Sequence, residues 1–331
     1  MKLTLTRVAT AAIAVGLLTA CGSGEPSTTT SSSAAGGAGF PRTVEHALGS
    51  TTIPAQPQRV AALDASFVDA TLMLDTKVVA FTEYNQLGDK LPGYLGKSGT
   101  AYGAEAQPVG KLASPSLEKL AGIKPDLVVS AKVRHDKIYP QLSSIAPTVF
   151  SETTGPTWKD NIRLLSRALG KESLADQRIA EYEAQAKKVG DAVKAKAGPD
   201  TTISVVRFVE GPTRLYAKKS FSGIVLQDAG LARPAPQDVD QFTVEINPEQ
   251  IPMADGTKIF VTTNGEKGGP SRGAFLQNPL WQPLAPKAVE VNDAEWMSSV
   301  SVQGAYRILS DIAKGFDVPG PVIPDWIGPT S

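Results

Sequence analysis

Between positions 172 and 197 the chain carries one apolar stripe: Ala175, Ile179, Tyr182, Ala186, Val189 and Val193 step by four, three, four, three and four residues. An α-helix places such positions on a single face, whereas a strand scatters them over two. At 1.5 Å per residue the segment makes a rod of about 37 Å. Glu181, Lys187, Lys188, Asp191 and Lys194 fall off the stripe, and Gly198-Pro199-Asp200 stops it. A helix of this length is either a surface helix of one large domain or a rigid strut between two lobes. What flanks it decides between the two.

On both sides strand and helix patterns alternate. Before the rod, Val60–Leu63, Val78–Phe81, Leu127–Val129 and Pro147–Phe150 are apolar, β-branched runs. Helical segments at Ser66–Leu74, Ser116–Ala121 and Lys137–Ile145 separate them. After it, strands are expected at Thr202–Val209, Leu215–Ala217, Ile259–Thr262 and Ala288–Val291. Helices are expected at Phe221–Asp228 and Gln303–Lys314, with a short one at Asn247–Met253. This order predicts an α/β fold with largely parallel sheets. Ile162, Leu165 and Leu169 add a first helix to the strut, closed by Gly170. The expected organisation is a lobe over 40–156, a helical strut over 157–197 and a second lobe over 198–331. In open sheets ligands bind beyond the carboxyl ends of the strands, so two facing lobes bring those ends to a shared cleft.

The first residues read as an export signal. Lys2 and Arg7 precede an apolar run from Val8 to Ala20, and Leu18-Thr19-Ala20-Cys21-Gly22 follows the bacterial lipobox pattern. The run is shorter than the roughly 20 residues a membrane span needs. Cys21 is the only cysteine, so no internal disulfide is possible. Cleavage before Cys21 and lipidation of its thiol would hold the chain at the outer face of the cytoplasmic membrane, two acyl chains giving stable attachment. Residues 21–39 are almost wholly Gly, Ser, Thr, Ala and Pro and read as a tether. Lys plus Arg equals Asp plus Glu at 33 each, which argues against nucleic acid as a partner.

The residues give little support for catalysis. The two histidines, His46 and His135, are far apart, and no metal-binding pairing such as H-E-x-x-H occurs. His135 reads as a loop histidine. Gly96-Lys97-Ser98 resembles the tail of a phosphate loop but lacks the upstream glycine, because position 91 is Leu91. Gly265–Gly273 reads as a loop after a strand. No nucleophile elbow of the G-x-S-x-G type is present. The expectation is a binding protein, not an enzyme.

Several stretches resemble a known family. Pro57-Gln58-Arg59-Val60, Lys124-Pro125-Asp126-Leu127-Val128-Val129, Lys132-Val133-Arg134, Ile145-Ala146-Pro147-Thr148-Val149, Thr213-Arg214-Leu215-Tyr216-Ala217 and the Trp296 segment carry the likeness. They are similar to the substrate-binding proteins of ABC importers for ferric siderophores, in particular the ferric hydroxamate binders of Gram-positive bacteria. The resemblance implies two Rossmann-like α/β lobes joined by one long rigid helix, the class III periplasmic-binding-protein architecture. It also implies slight closure on ligand, because the strut resists bending. The iron would arrive chelated in the siderophore, so no cofactor of the protein's own is expected.

A ferric tris-hydroxamate is neutral overall and presents oxygens of partial negative charge. Arginine forks and aromatic faces suit it. The resemblance assigns the ligand arginine to Arg214, with Tyr216 beside it, and the cleft tryptophan to Trp296. Arg207, Arg134 and Tyr84 complete the expected ligand set, while Trp158 is expected to pack the strut. The permease partner implied by the family would grip one glutamate on each lobe, Glu118 and Glu249, with Glu245 as the rival of the second. A carrier that must present its cleft to a permease is expected to be monomeric. Catecholate siderophores, corrinoids and haem remain alternative ligands, and a surface enzyme on the same scaffold is the alternative of a different class.

Overall fold

The computed structural model describes residues 39–84 and 88–329. The signal segment, Cys21 and nearly all of the tether lie outside them. A hairpin of β1 (Arg42–His46) and β2 (Gly49–Ile53) opens the described chain. Then follow β3 (Val60–Ala62), α1 (Ala65–Met73), β4 (Val78–Phe81), α2 (Gly96–Gly103) and β5 (Gln107–Pro108). A second hairpin, β6 (Gly110–Lys111) with β7 (Ser114–Pro115), leads into α3 (Leu117–Ile123), β8 (Leu127–Ala131), α4 (Lys132–His135), α5 (Tyr139–Ile145) and β9 (Thr148–Ser151).

The first lobe is a parallel sheet of order β5-β4-β3-β8-β9. Every residue of β3, β4, β8 and β9 is buried. That is why these strands are continuous runs of Val, Ala, Leu and Phe rather than alternations: helices or loops cover both faces. The chain moves outward from β3 through β4 to β5, then restarts on the other side with β8 and β9. The switch point therefore lies between β3 and β8.

The strut is α6 (Trp158–Leu169) and α7 (Glu172–Ala197), the latter 26 residues long. Gly170 at φ 66° ends α6 in the left-handed cap that only glycine adopts without strain. All six stripe residues of α7 are buried. Arg178 of α7 forks onto Asp75 of the first lobe at 3.0 Å from both Nη atoms. One turn further on, Tyr182 donates to Asp228 of the second lobe at 2.8 Å. Trp158 is buried edge-on against Tyr182 and Phe221, the packing role expected for it.

The second lobe contains β10 (Ile203–Phe208), β11 (Thr213–Tyr216), α8 (Phe221–Asp228), β12 (Thr243–Ile246), β13 (Lys258–Thr263), α9 (Gly269–Gln277), β14 (Ala288–Glu290) and α10 (Val302–Phe316). Its sheet runs β12-β11-β10-β13-β14. β10, β13 and β14 are parallel, while β11 and β12 add an antiparallel edge. Here the switch point falls between β10 and β13. The last residues return to the first lobe, where Asp325 pairs with Lys97 and the Gly328 carbonyl accepts from the Lys97 N–H.

The sequence expectation differs from the structure at Gly265–Gly273, which is a short 3-10 turn followed by α9 rather than a loop. Phe275 explains it. Its ring packs edge-on against Phe208 at 5.2 Å and on Trp281 at 5.1 Å, and this burial outweighs the poor helix propensity of the glycines. His135 is likewise no exposed loop residue: it is buried at the end of α4.

Candidate functional site

The residues just past β3, β4, β8 and β9 come together at the carboxyl edge of the first sheet. Asp64 follows β3. One of its oxygens caps α1 by accepting from the Ser66 N–H at 3.0 Å and the Ser66 hydroxyl at 2.6 Å, a cap worth about 1 kcal/mol. The other accepts from Nε of Arg134 at 2.9 Å. Arg134 follows β8, so this ion pair spans the switch point. The Arg134 side chain is 39 % exposed and the Asp64 side chain 6 %. Neither Nη group of Arg134 has a partner among the described residues.

Thr82, Glu83 and Tyr84 follow β4 and form the next part of the wall, with Thr154 beyond β9. The tip of the β6–β7 hairpin adds Lys111, Leu112 and Ala113. His135 holds that tip in place. Its Nε2 donates to the Leu112 carbonyl at 2.6 Å, which leaves Nδ1 to accept from the Ser130 hydroxyl at 2.7 Å. Burial pushes the imidazole below its ordinary pKa, in keeping with this neutral tautomer.

From the second lobe, Arg207 near the end of β10 faces the same space. Its Nε and Nη2 donate to the two oxygens of Asp293, each at 2.7 Å, and Nη1 donates to the Tyr216 hydroxyl at 3.0 Å. Thr262 of β13 donates to Asp293 at 3.0 Å. Burial works against the guanidinium charge, but Asp293 and Tyr216 outweigh it and hold the pKa above its ordinary value. Arg207 is thus a fixed cation in a rigid fork. Met297, Ser298 and Val300, in the turn after β14, close this side.

The hollow measures about 650 Å³. Arg134, Thr154, Met297 and Val300 also border a second hollow of about 350 Å³. Tyr216 lies there, edge-on to Phe242 at 5.4 Å between ring centres.

Beneath the floor lies a carboxylate that sequence reading did not single out. Asp69 of α1 is fully buried. It accepts from Tyr84 at 2.6 Å, Tyr94 at 2.9 Å and Ser301 at 2.8 Å, and its carbonyl accepts from Gln303 at 2.8 Å. Ser301 is also the N-cap of α10, so one carboxyl group joins the first lobe to the closing helix of the second. Burial raises Asp69 to about 7, against the pull of the three hydroxyl donors.

Of the expected ligand residues, Arg134, Arg207 and Tyr84 therefore border the larger hollow and Tyr216 the smaller. Tyr84 turns its hydroxyl inward to Asp69 and is only 3 % exposed. Arg214 is placed differently from expectation. It is the register partner of Arg207, so the two project from one face, but β11 lies one strand further from the cleft than β10. There Arg214 Nε pairs with Glu245 directly across on β12 at 3.2 Å, and Arg214 does not border the larger hollow. Trp296 also departs from expectation. It backs the smaller hollow with 0 % exposed surface, stacked on Phe260 at 5.0 Å, its indole N–H on Asp311 at 2.8 Å. The turn after β14 sends the indole into the core and leaves its neighbour Met297 at the wall. Glu118 and Glu249 are exposed in the first turns of α3 and of the 3-10 helix Pro248–Ala254.

Lys111, Asp64 and Asp293 were not singled out in the sequence. For Asp64 and Asp293 the usable signal is a carboxylate just past an apolar run, where strand ends meet a switch point.

The chain is 34 % identical to a probable siderophore-binding lipoprotein of Bacillus subtilis, YfiY, over 92 % of this chain and 95 % of that one. It is 28 % identical to the Fe(3+)-citrate-binding protein YfmC of the same organism, over 82 % and 85 %. Staphylococcus aureus SirA, solved in complex with staphyloferrin B, superposes with a TM-score of 0.75 at 26 % identity, covering 84 % of this chain and 99 % of SirA. The two Bacillus subtilis relatives are named as binding proteins. Residues 60–293 match the family described as Periplasmic binding protein, a span that takes in both sheets and the strut, and the chain belongs to that family.

Proposed function

We propose that the chain captures a ferric siderophore between its lobes and passes it to an ABC importer. The observation that carries the reading is the larger hollow, where the carboxyl edges of two sheets meet and which Arg134 and Arg207 line from opposite lobes. Its volume of about 650 Å³ suits a small-molecule ligand. The names of the relatives point to the same class of cargo.

Charge bears on the kind of siderophore. The wall holds Lys111, Arg134 and Arg207 against Asp64 and Glu83, and Asp293 stands behind Arg207. Asp64 and Asp293 each answer one guanidinium, so the site is close to balanced. A neutral ferric hydroxamate fits such a wall, whereas a tris-catecholate complex of charge about −3 calls for unanswered cations. The second reading is a ferric carboxylate complex, favoured by the likeness to the citrate binder and by the Arg134 guanidinium in the wall, whose fork suits a carboxylate.

Titrating ferrioxamine B, ferric citrate and a ferric tris-catecholate against tryptophan fluorescence tests the choice. The expected order is ferrioxamine B tightest and the catecholate weakest. Arg134→Ala is expected to weaken the tightest complex by about ten- to a hundredfold. Tightest binding of the catecholate, or an Arg134→Ala variant equal to the parent, contradicts the reading. For delivery, Glu118 and Glu249 are proposed as the permease contacts, Glu245 being engaged by Arg214. A lipid on Cys21 is proposed to hold the monomeric carrier at the extracytoplasmic face of the membrane.

A further inference from the structure

Among the described residues four large hydrophobic side chains are exposed: Val133, Phe242, Leu280 and Val322. Two of them border the smaller hollow, and they come from different lobes. Val133 of α4 is 59 % exposed and Phe242, just before β12, is 48 % exposed. Phe242 meets Tyr216 edge-on, yet both side chains leave about half of their surface in water. Between them, Tyr216, Phe221 and Met297 supply further apolar wall. The backbone of Gly155 in the first lobe lies close enough to Phe242 that a side chain there would touch the ring, with a Cβ 3.9 Å from it. At about 350 Å³ the space far exceeds the roughly 30 Å³ share of one water molecule.

This hollow does not stand alone. Arg134, Thr154, Met297 and Val300 are common to both hollows, so a molecule seated against the Arg134 guanidinium has a direct path into it. One side of Arg134 is polar and charge-balanced, the other apolar. A ligand filling both is amphiphilic, with a chelate at one end and hydrocarbon at the other.

We infer that the smaller hollow is an apolar subsite that takes an aliphatic arm of the iron complex held in the larger one. The inference rests on the ferric hydroxamate reading above and adds to it the shape of the cargo. Val133 and Phe242 set the preference for the arm, and Arg134 marks the junction. Each methylene withdrawn from water adds to affinity, so the preference grows with chain length until the hollow is full.

Two neutral probes with the same chelate separate this from the parent reading: ferrioxamine B acylated on its free amine with an acetyl or an octanoyl group. The parent protein is expected to bind the octanoyl complex at least about tenfold more tightly, an advantage of about 1.4 kcal/mol. A Phe242→Ser, Val133→Thr double variant is expected to lose that preference while keeping its affinity for the acetyl complex. Both side chains are exposed, so the variant's thermal midpoint should match the parent's. Equal affinity of the parent for the two probes overturns the subsite and leaves the hydroxamate reading standing. A variant that retains the octanoyl preference, or loses affinity for both probes alike, also overturns it. A variant that binds both probes as the parent does but fails in uptake assigns the hollow to the permease instead. Failure of the parent to bind either probe overturns the hydroxamate reading and the subsite with it.

Discussion

Asp69 carries an unusual burden for a carboxylate with no cation among its hydrogen-bond partners. Three hydroxyl groups point at it, and burial still raises its pKa from 3.8 to about 7. The folded state therefore binds a proton that the unfolded chain releases. The stabilisation linked to that proton is complete below about pH 4 and is lost as pH rises through 7. Asp69→Asn is expected to remove this slope: unfolding free energies from urea titrations at pH 4 to 7 should fall less steeply than in the parent, whatever the overall loss of stability. An unchanged slope would mean that Asp69 is ionised throughout. Nothing in the sequence marked this residue, because a lone aspartate in an apolar helix reads as its solvent face. Arg207 and Arg214 teach the complementary point. They are register partners, and only strand order, which no local pattern encodes, decides which of them stands nearer the cleft.

The strut joins sequence to function most directly. Its stripe was legible because every fourth or third residue had to be buried, and all six positions are. The backbone demands one more feature, Gly190. A Cβ there would lie 1.7 Å from the Ala229 carbonyl oxygen at the end of α8. Alanine is the better helix former, yet Gly190→Ala must push α7 off the second lobe. A net loss of about 1–3 kcal/mol is expected from denaturant titration; a neutral or stabilising result would show that the two elements are not in this contact. Most strands and helices of both lobes follow from apolar runs and their breaks. Among the elements not read from sequence, the β1–β2 hairpin and α9 are held by tertiary partners instead. β1 and β2 carry Thr and Ser on a half-exposed ribbon, and α9 depends on Phe275 finding Phe208 and Trp281.

At the scale of the whole molecule, two sheets end on one cleft and a continuous helix grips both lobes. Lys159 reinforces the grip by pairing with Glu183 of α7 and Asp228 of α8 at 2.7 and 2.8 Å. A frame tied in this way favours small adjustments around the ligand over wide opening. Delivery then depends on surface recognition, and Glu118→Ala combined with Glu249→Ala is expected to leave ligand affinity unchanged while abolishing uptake of radioactive iron by cells. Retained uptake would remove the docking assignment. The central claim is that the iron sits where the two sheets face each other. Crystals of the protein loaded with ferrioxamine B and measured at the iron absorption edge test it directly. A single anomalous peak bounded by Arg134, Tyr84 and Arg207 is the predicted result, and an ordered iron anywhere else on the molecule would contradict it.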